Sequence, residues 1–310
     1  MAPIPKPAEA KTSPLRMFAL LVALVIAGAF IVAVLLSLSS GSGLPTNGVV
    51  AVIPLKGEIG QGFAGEAGFS LEEGIELLQE AENDFTVAAI VLDIDSPGGS
   101  VVASKQLAYK IRSMKKPIVS WIGETGASGA YYAAAASTWI AADADSITGS
   151  IGVLSMAPNV QALLEKIGVK MEVLHAGNLK AMGSPFKELS EEERAILQTI
   201  LDETFETFKS DVISFRGSKL NVQDFNQVAD GRILSGRQAL KAGLIDALGS
   251  KEDAIQKAAD LAGIQGKPET KTLETEKFAL SDLFLSMGAS LGKGFRQGFY
   301  AQNAAPKIRS

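Results

Sequence analysis

From Val49 onward, short apolar runs alternate with longer amphipathic stretches. This alternation is typical of βαβ units, in which helices cover a mainly parallel sheet, so the predicted fold class is α/β. The candidate strands are five apolar runs: VVAVIPL from Val49, AAIVLDI from Ala88, PIVSWIG from Pro117, STWIAAD from Ser137 and KMEVLHAG from Lys170.

The strongest helix prediction runs from Ser190 to Arg216. Ser190 and Glu193 have the spacing of a capping box, in which each side chain accepts a hydrogen bond from the other residue's backbone N–H. Apolar residues then recur every three to five positions. The other candidate helices are shorter: Leu71 to Glu82, Ser100 to Lys115, Ser128 to Ala136, Val160 to Ile167 and one around Gln238.

An uncharged apolar run of 22 residues extends from Met17 to Leu38. About 20 apolar residues in a helix span the hydrocarbon core of a bilayer. A cleaved signal peptide is the alternative, but its apolar part is shorter, and no clear small-residue cleavage site follows this run. Basic residues precede the run and none follows it before Lys56. We therefore expect a retained membrane anchor, with the N-terminus in the cytoplasm and the rest of the chain across the membrane.

The pattern divides the chain into five parts. A linker rich in Gly, Ser and Pro follows the anchor, and after the folded domain comes a tail that mixes apolar residues with glycines and has no clear period. The predicted parts are a cytoplasmic N-terminus (1–16), the transmembrane anchor (17–38), the linker (39–48), one folded domain (49–265) and a tail of unknown order (266–310).

Composition excludes several kinds of chemistry. The net charge of −5 supplies no basic surface for nucleic acid. The chain has no cysteine, which excludes thiol catalysis, disulfides and cysteine-based zinc sites. His175 is the only histidine, so a Ser-His-Asp triad within one chain has a single candidate base. A hydrophobic fraction of 47% is ample for a core.

The stretch ETGASGAYYAAAAS, from Glu124 to Ser137, places Ser128 among small residues at the start of a predicted helix. Small neighbours leave room for a ligand to approach the backbone N–H groups of a helix start. One interpretation is a nucleophilic serine. The other is a helix N-cap, a position that favours serine.

The stretch DSPGGS, from Asp95 to Ser100, follows a candidate strand and precedes a candidate helix. Glycines there can expose backbone N–H groups to an anion or an oxyanion, although a plain strand-to-helix turn has the same composition. Neither phosphate-loop motif is present, which argues against nucleotide binding. Asp93 and Asp95 alternate along the strand, but no third metal ligand is suggested nearby, so we predict no metal site.

A nucleophilic serine needs a base to accept its proton. His175 is one candidate and a lysine is the other, because a desolvated lysine serves as the base in known Ser-Lys sites. Lys180 lies in a glycine-bounded loop within HAGNLKAMGSPFKELS, before the capped helix. An ordinary solvated charge is the alternative interpretation for this lysine.

Five motifs, in this order, resemble the signal peptide peptidase A (SppA) family over Val49 to Gly263. That resemblance implies a ClpP/crotonase-like fold and a serine protease with a Ser-Lys dyad. The motifs are DSPGG at Asp95, ASGAYYAAAA at Ala127, TGSIGV at Thr148, GNLKAMGSPFKELSEEER at Gly177 and DGRILSGRQALKAGLID at Asp230.

The resemblance also implies the roles of individual residues. Ala130 departs from a second glycine that the family often has after the nucleophile, which affects only local packing, and His175 matches no catalytic position. The implied roles are Ser128 as nucleophile, Lys180 as general base, Gly99 and Gly129 as oxyanion-hole N–H donors, and Ser150 as the residue that orients the lysine.

The function that the resemblance implies is a single-pass endopeptidase of the cytoplasmic membrane that degrades signal peptide remnants. It implies a homo-oligomeric ring with sites shared between protomers, other hydrophobic or unfolded peptides as further substrates, and no cofactor or metal. Three alternatives remain at this point. They are a broader quality-control protease on the same fold, a crotonase-type acyl-CoA enzyme that needs neither Ser128 nor a lysine base, and an inactive scaffold.

Overall fold

The computed structural model describes residues 25–28, 48–60 and 68–274. Within these ranges most of the chain alternates between strands and helices. The strands are β1 (Val49–Lys56), β2 (Val87–Ser96), β3 (Ile118–Ala127), β4 (Trp139–Ala142), β5 (Ile147–Gly149), β6 (Ile233–Ser235), β7 (Ala247–Leu248) and β8 (Glu269–Thr272). The helices are α1 (Leu71–Asn83), α2 (Val101–Ser113), α3 (Gly129–Ala135), α4 (Gln161–Lys166), α5 (Glu191–Arg216), α6 (Val222–Val228), α7 (Gly236–Lys241) and α8 (Lys251–Leu261), with a 3₁₀ turn at Gly217–Lys219.

These strands form one sheet in the order β6-β5-β3-β2-β1-β8, with β4 paired to β3 and β7 paired to β4. All pairs are parallel except β5 with β6. The edge of β3 is divided between two partners. Residues 119–122 pair with β4 and residues 125–127 pair with β5. The carboxyl end of β3, directly before Ser128, therefore lies beside β5.

The core lies on both faces of the sheet, as expected when helices cover parallel strands. Alternate residues of β1 point to opposite faces: Ala51, Ile53 and Leu55 join the larger cluster, while Val50 and Val52 join the smaller one. The larger cluster includes buried residues of α1, α2 and α3, and the smaller includes three alanines of α8. The predicted α/β alternation is confirmed.

The predicted long helix is also confirmed as α5. Its capping box is present: the Glu193 N–H donates to Ser190 Oγ at 3.2 Å, and the Ser190 N–H donates to Glu193 Oε2 at 3.0 Å. The Lys187 ammonium bonds the same carboxylate, and together these hydrogen bonds lower the pKa of Glu193. The cap therefore fixes where the chain enters this helix.

The strand predicted from Lys170 is wrong. Residues 169–175 have no regular secondary structure, and no residue from Gly152 to Glu192 is buried. A β-strand needs a partner edge for its backbone and a buried face for its apolar side chains. In the described part of one chain this segment has neither, although its apolar residues alternate as in a strand.

Short elements that the sequence pattern did not predict complete the sheet. The most distant is β8, which pairs in parallel with β1 through Glu269 to Thr272. The Leu273 N–H then donates to the Val52 carbonyl at 2.9 Å. The chain thus belongs to the sheet beyond residue 266, and the remainder of the predicted tail, from residue 275, lies outside the described residues.

The predicted membrane anchor lies almost wholly outside the described residues. Of the run from Met17 to Leu38, only Val25 to Gly28 are described, and these four residues are helical and exposed. In the described ranges no helix has the length and apolarity to cross a bilayer. All but the last residue of the predicted linker also lies outside them.

Candidate active site

Ser128 occupies the N-cap position of α3, yet its side chain makes no capping hydrogen bond. Its backbone has φ 52° and ψ −121°, whereas an N-cap normally has an extended conformation. Positive φ strains a residue that has a Cβ. Within the described residues, the hydroxyl forms no hydrogen bond, and the side chain is partly exposed. The interpretation of Ser128 as an ordinary helix cap is therefore wrong.

The neighbouring elements hold Ser128 in this conformation. Its N–H donates to the Gly149 carbonyl of β5 at 2.9 Å, and its carbonyl accepts the Tyr132 N–H of α3 at 2.9 Å. Because β3 ends at Ala127 and α3 begins at Gly129, the chain changes direction at this one residue. These two hydrogen bonds offset the backbone strain at Ser128, and the resulting conformation leaves the side chain partly exposed.

Gly99 supplies one unpaired N–H beside Ser128. The Ile59 N–H donates to the Gly98 carbonyl at 2.7 Å, and the Ser100 N–H donates to the Ile59 carbonyl at 2.9 Å. These two bonds form a parallel bridge that flanks Gly99 and leaves its own N–H directed away from Ile59. A Cβ at this position would collide with the Ile59 carbonyl, so the approach requires glycine.

Gly129 supplies the second N–H, as the residue directly after Ser128. Neither its N–H nor that of Gly99 donates to any group in the described ranges. The two residues are close, because a Cβ built on Gly129 would lie 3.3 Å from the Gly99 nitrogen. Two unpaired N–H groups near a free serine hydroxyl can stabilise the oxyanion of an acyl-transfer reaction.

Ser150 also has a strained backbone, with φ 51°. Ser128 and Ser150 are the only two residues other than glycine with positive φ in the described ranges. The Ser150 N–H donates to the Arg232 carbonyl at 2.8 Å, which places the serine at the end of β5. Both serines line the same cavity.

Two cavities meet at Ser128. One has a volume of about 610 Å³ and the other about 570 Å³, and both are lined by Gly99, Val101, Ser128, Gly152 and Val153. The first continues between α2, α3 and α5. The second continues past Ser150 towards α5 and the loop before β6. A serine at the junction of two cavities can contact a chain that extends in both directions from it.

The wall of the larger cavity contains aromatic residues that the sequence did not single out. Tyr132 stacks on Phe208 of α5 with ring centroids 4.3 Å apart, and both line the cavity. The Tyr132 hydroxyl donates to the Asp211 carboxylate, as does that of Tyr109. Burial and this carboxylate raise the pKa of Tyr132. These contacts attach α5 to the site and give the cavity an apolar wall.

Lys180 lines neither of these two cavities. It lies in the turn region before α5, where its N–H donates to the Gly177 carbonyl at 3.1 Å. Its ammonium is exposed and forms no hydrogen bond or ion pair with any group in the described residues. The structure of one chain therefore brings together Ser128, Gly99, Gly129 and Ser150, but not the predicted base.

The remaining candidate residues are His175 and Asp93, and each makes polar contacts of its own. His175 is exposed, and its Nδ1 lies 3.0 Å from the Gly177 carbonyl oxygen. Asp93 is nearly buried and accepts hydrogen bonds from Lys56 at 2.8 Å and Lys251 at 2.7 Å. Burial alone would raise the pKa of Asp93, but the two lysines outweigh it and hold that pKa below its usual value.

Comparison with known proteins identifies a peptidase family and related proteases. The model of peptidase family S49 matches residues 110–265, half of the chain. A protein of Methanocaldococcus jannaschii that is named as a protease is 36% identical over 228 residues, which are 73% of this chain and 73% of that protein. A protein of Enterococcus faecium named as a signal peptide peptidase SppA is 35% identical over 202 residues, or 62% of this chain and 58% of that protein.

Among solved structures, a mutant of the membrane-bound stomatin-specific protease 1510-N aligns with a TM-score of 0.48 at 17% identity. The alignment covers 74% of this chain and 99% of that one.

On the family match and the first of these relatives, the chain belongs to peptidase family S49, and it is a serine peptidase. Its relatives include proteins named signal peptide peptidase SppA and Protease 4.

Proposed function

We propose that the protein is a membrane-anchored endopeptidase that degrades signal peptide remnants through an acyl-enzyme on Ser128. Lys180 is the general base, Gly99 and Gly129 donate to the oxyanion, and Ser150 orients the lysine amine. The observation that carries the proposal is Ser128 itself. It has a strained backbone, and it lies where two cavities meet. Among the described residues its hydroxyl has no partner, and the two neighbouring N–H groups are unpaired.

The proposed reaction has two halves. The neutral Lys180 amine accepts the Ser128 proton, the serine oxygen attacks the peptide carbonyl, and the Gly99 and Gly129 N–H groups hold the resulting oxyanion. The tetrahedral intermediate collapses when the lysine returns its proton to the leaving amine. Lysine then activates a water that hydrolyses the ester.

We propose that Lys180 reaches Ser128 of a neighbouring protomer in a ring. Two features of the segment from Gly152 to Glu192 support this. Lys180 is exposed and lines neither of the two cavities of its own chain. The same segment leaves several large apolar side chains in water, among them Leu154, Met156 and Leu174. A second copy would cover these side chains and remove water from the amine, which favours its neutral form.

The substrate proposal follows from the shape and lining of the cavities. An extended peptide could pass from one cavity to the other, with its scissile bond at Ser128. Val102, Tyr132 and Phe208 give the larger cavity a wall for an apolar side chain, which suits segments of hydrophobic signal peptides. The apolar run from Met17 to Leu38 would anchor the enzyme near such remnants, with the catalytic domain outside the cytoplasm.

The fold is proposed to be of the ClpP/crotonase type. Its repeated βαβ units and the division of the β3 edge between β4 and β5 support this assignment. A broader quality-control protease on the same fold would use the same site. The two functions differ in substrate, so digestion of a signal peptide set and of unfolded soluble proteins by the full-length enzyme separates them.

The first experiment replaces each member of the dyad in the full-length, detergent-solubilised protein. We expect Ser128→Ala and Lys180→Ala each to abolish hydrolysis of a fluorogenic peptide, because one removes the nucleophile and the other its base. Lys267→Ala replaces an exposed lysine outside the segment from Gly152 to Glu192, so it is the matched control and should keep full activity. Retained activity in either dyad variant contradicts the proposed mechanism.

Coexpression of the two inactive variants tests the shared site. If Ser128 and Lys180 come from different chains of a ring, an equal mixture forms complete sites at about a quarter of the interfaces. Coexpression of Ser128→Ala with the double variant Ser128→Ala/Lys180→Ala forms no complete site and serves as the control. Activity in the first mixture alone supports a shared site, whereas no activity in either indicates a site within one chain.

A further inference from the structure

Ser104, in the first turn of α2, has a buried hydroxyl without a partner among the described residues. The residue is 1% exposed, and its Oγ forms no hydrogen bond with any group that the structure describes. A serine within a helix commonly donates to the carbonyl four residues earlier. Here the Ser100 carbonyl accepts only the Ser104 backbone N–H, at 2.9 Å. An unpaired buried hydroxyl is costly, so its orientation requires an explanation.

This hydroxyl lies next to both proposed oxyanion donors. Ser104 lines the larger cavity together with Ser128, Gly99 and Gly129. A Cβ built on Gly129 would overlap Ser104 Oγ, and the same point is 3.3 Å from the Gly99 nitrogen. Three donors with no partner in the described residues, two N–H groups and one O–H, therefore surround one small region beside Ser128.

Packing alone does not explain a serine at this position. Ala103 and Ala108, on the same helix, are buried alanines, and an alanine at 104 would fill nearly the same volume without an unpaired polar atom. The hydroxyl therefore matches a group that enters the cavity during the reaction. The entering group must accept hydrogen bonds, and the scissile carbonyl oxygen does so with increasing strength as it gains negative charge.

We propose that Ser104 is a catalytic residue whose O–H donates a third hydrogen bond to the oxyanion, beside the Gly99 and Gly129 N–H groups. The inference rests on the proposed function, in which Ser128 is the nucleophile. As the Ser128 oxygen bonds to the carbonyl carbon, the carbonyl π electrons move to the oxygen, and the Ser128 proton passes to the base. Ser104 keeps its own proton throughout and only donates a hydrogen bond. When the carbonyl re-forms, the C–N bond breaks and the amine leaves with the proton from the base.

The test is Ser104→Ala in the full-length enzyme. Loss of one hydrogen bond to a charged oxygen should lower kcat/KM about 10- to 100-fold, mostly through kcat, with KM nearly unchanged. A peptide aldehyde, which forms a charged or hydrogen-bonded tetrahedral adduct with Ser128, should bind more weakly by a similar factor. An uncleaved peptide should bind Ser128→Ala and the double variant Ser128→Ala/Ser104→Ala equally well, because no oxyanion forms.

Matched variants separate this role from a structural one. Ser104→Cys keeps the shape with a weaker donor, so its activity should lie between those of the wild type and Ser104→Ala. Ser120→Ala removes another buried serine, whose Oγ pairs with Ser137 Oγ at 2.7 Å. It should lower thermal stability without changing the ratio of aldehyde affinity to peptide affinity.

Two results overturn the inference. One is wild-type kcat/KM and aldehyde affinity in folded Ser104→Ala. The other is an equal loss of aldehyde and peptide affinity, which indicates a role in shaping the cavity. If Ser128→Ala is inactive in the same series, either result contradicts only the proposed role of Ser104 and leaves the proposed function intact. Activity in Ser128→Ala would instead overturn the proposed function itself.

Discussion

At the scale of single residues, backbone conformation distinguishes the site from the rest of the fold. Ser128 and Ser150 have φ values of 52° and 51°, which disfavour any residue with a Cβ. Backbone strain of this kind persists where the surrounding contacts hold the residue in place, and it is concentrated at functional sites. Here β5 provides the bond to Ser128 and carries Ser150 at its end. The two serines are thus positioned by the same strand.

Gly129→Ala tests how tightly the oxyanion region is packed. The added Cβ would collide with Ser104 Oγ, so the Ser128–Gly129 turn or α2 must shift. We expect a loss in kcat of about a hundredfold or more, as for removal of an oxyanion donor. Peptide-hydrolysis kinetics measure the change, and circular dichroism verifies that the domain is folded.

Gly263→Ala is the control for this substitution. Gly263 has φ 76° with no atom of the described residues near its absent Cβ, so alanine adds strain without a collision. Its kcat should equal that of the wild type, with only a small loss of stability. Normal kcat in Gly129→Ala would show that the turn tolerates a side chain.

Sequence motifs predict Ser128, Gly99, Gly129 and Ser150 as site residues, and the structure places these four residues together. No motif indicates Ser104. The letter S in a helical stretch is usually a surface residue or a back-bonded hydroxyl. Only the tertiary fold, which buries α2 against the turn at Gly129, leaves that hydroxyl without a partner in the part of the chain that the structure describes.

At the scale of elements, α5 is fixed at its carboxyl end by a buried ion pair. The Arg216 guanidinium donates to Asp246 at 2.9 and 3.1 Å and to the Gly243 carbonyl. Asp246 also accepts the Ile140 N–H of β4 at 2.8 Å. Burial alone would raise the pKa of Asp246, but the hydrogen bonds and charge of Arg216 hold that pKa below its usual value. The pair joins α5 to the sheet.

Asp246→Asn should destabilise the domain by about 3 kcal/mol, because it leaves the buried Arg216 guanidinium without its counter-charge. The lowered folded pKa of Asp246 means that its contribution to stability is complete above the unfolded pKa, about 3.9, and is lost as the pH falls through the folded pKa. Urea unfolding from pH 7 to pH 2 should therefore show a smaller acid-dependent loss in the variant than in the wild type.

Asp145→Asn is the control for the ion pair. Asp145 bonds Arg237, but both side chains are largely exposed, so solvent screens the interaction. This variant should unfold at nearly the wild-type urea concentration. If Asp246→Asn is equally mild, the buried pair does not anchor α5 as described.

The elements were predictable where local signals were strong. The capping box and the apolar repeat of α5 are local, as are the apolar runs of β1, β2 and β3. The short strands β5 to β8 exist because a long parallel sheet offers each of them an edge, which no window of sequence contains. The strand-like run at Lys170 is not a strand, because the described part of this chain offers it no such edge.

At the scale of the whole molecule, the segment from Gly152 to Glu192 differs from the rest of the described domain. It carries Lys180 and several exposed apolar side chains, and none of its residues is buried. Exposed apolar residues grouped on one segment are typical of a protein interface. The proposed ring would bury this segment and complete the site in the same step.

Leu174→Glu tests the assembly. Leu174 is 95% exposed, so the substitution should leave the stability of a protomer unchanged, but a buried charge at an interface opposes association. We expect a smaller particle in light scattering of the detergent-solubilised protein. Peptidase activity should fall in parallel, because Lys180 no longer reaches a neighbour.

Phe85→Glu is the matched control. Phe85 is 97% exposed and lies between α1 and β2, outside this segment. It should leave both particle size and activity unchanged. A Leu174→Glu protein of wild-type size and activity would contradict the proposed interface, whereas a smaller, fully active particle would place Lys180 at the Ser128 of its own chain.

The α/β class, the first strands, the longer helices and a set of candidate site residues follow from the amino-acid sequence. These properties depend on local periodicity, capping and motif order, which can be read along the chain. The strain at Ser128 arises only in the folded chain. The same is true, within the described residues, of the unpaired N–H groups of Gly99 and Gly129 and of the isolated hydroxyl of Ser104. The fold also leaves Lys180 out of the lining of both cavities at Ser128. Each of these depends on contacts between residues distant in sequence, which sheet order and helix packing create.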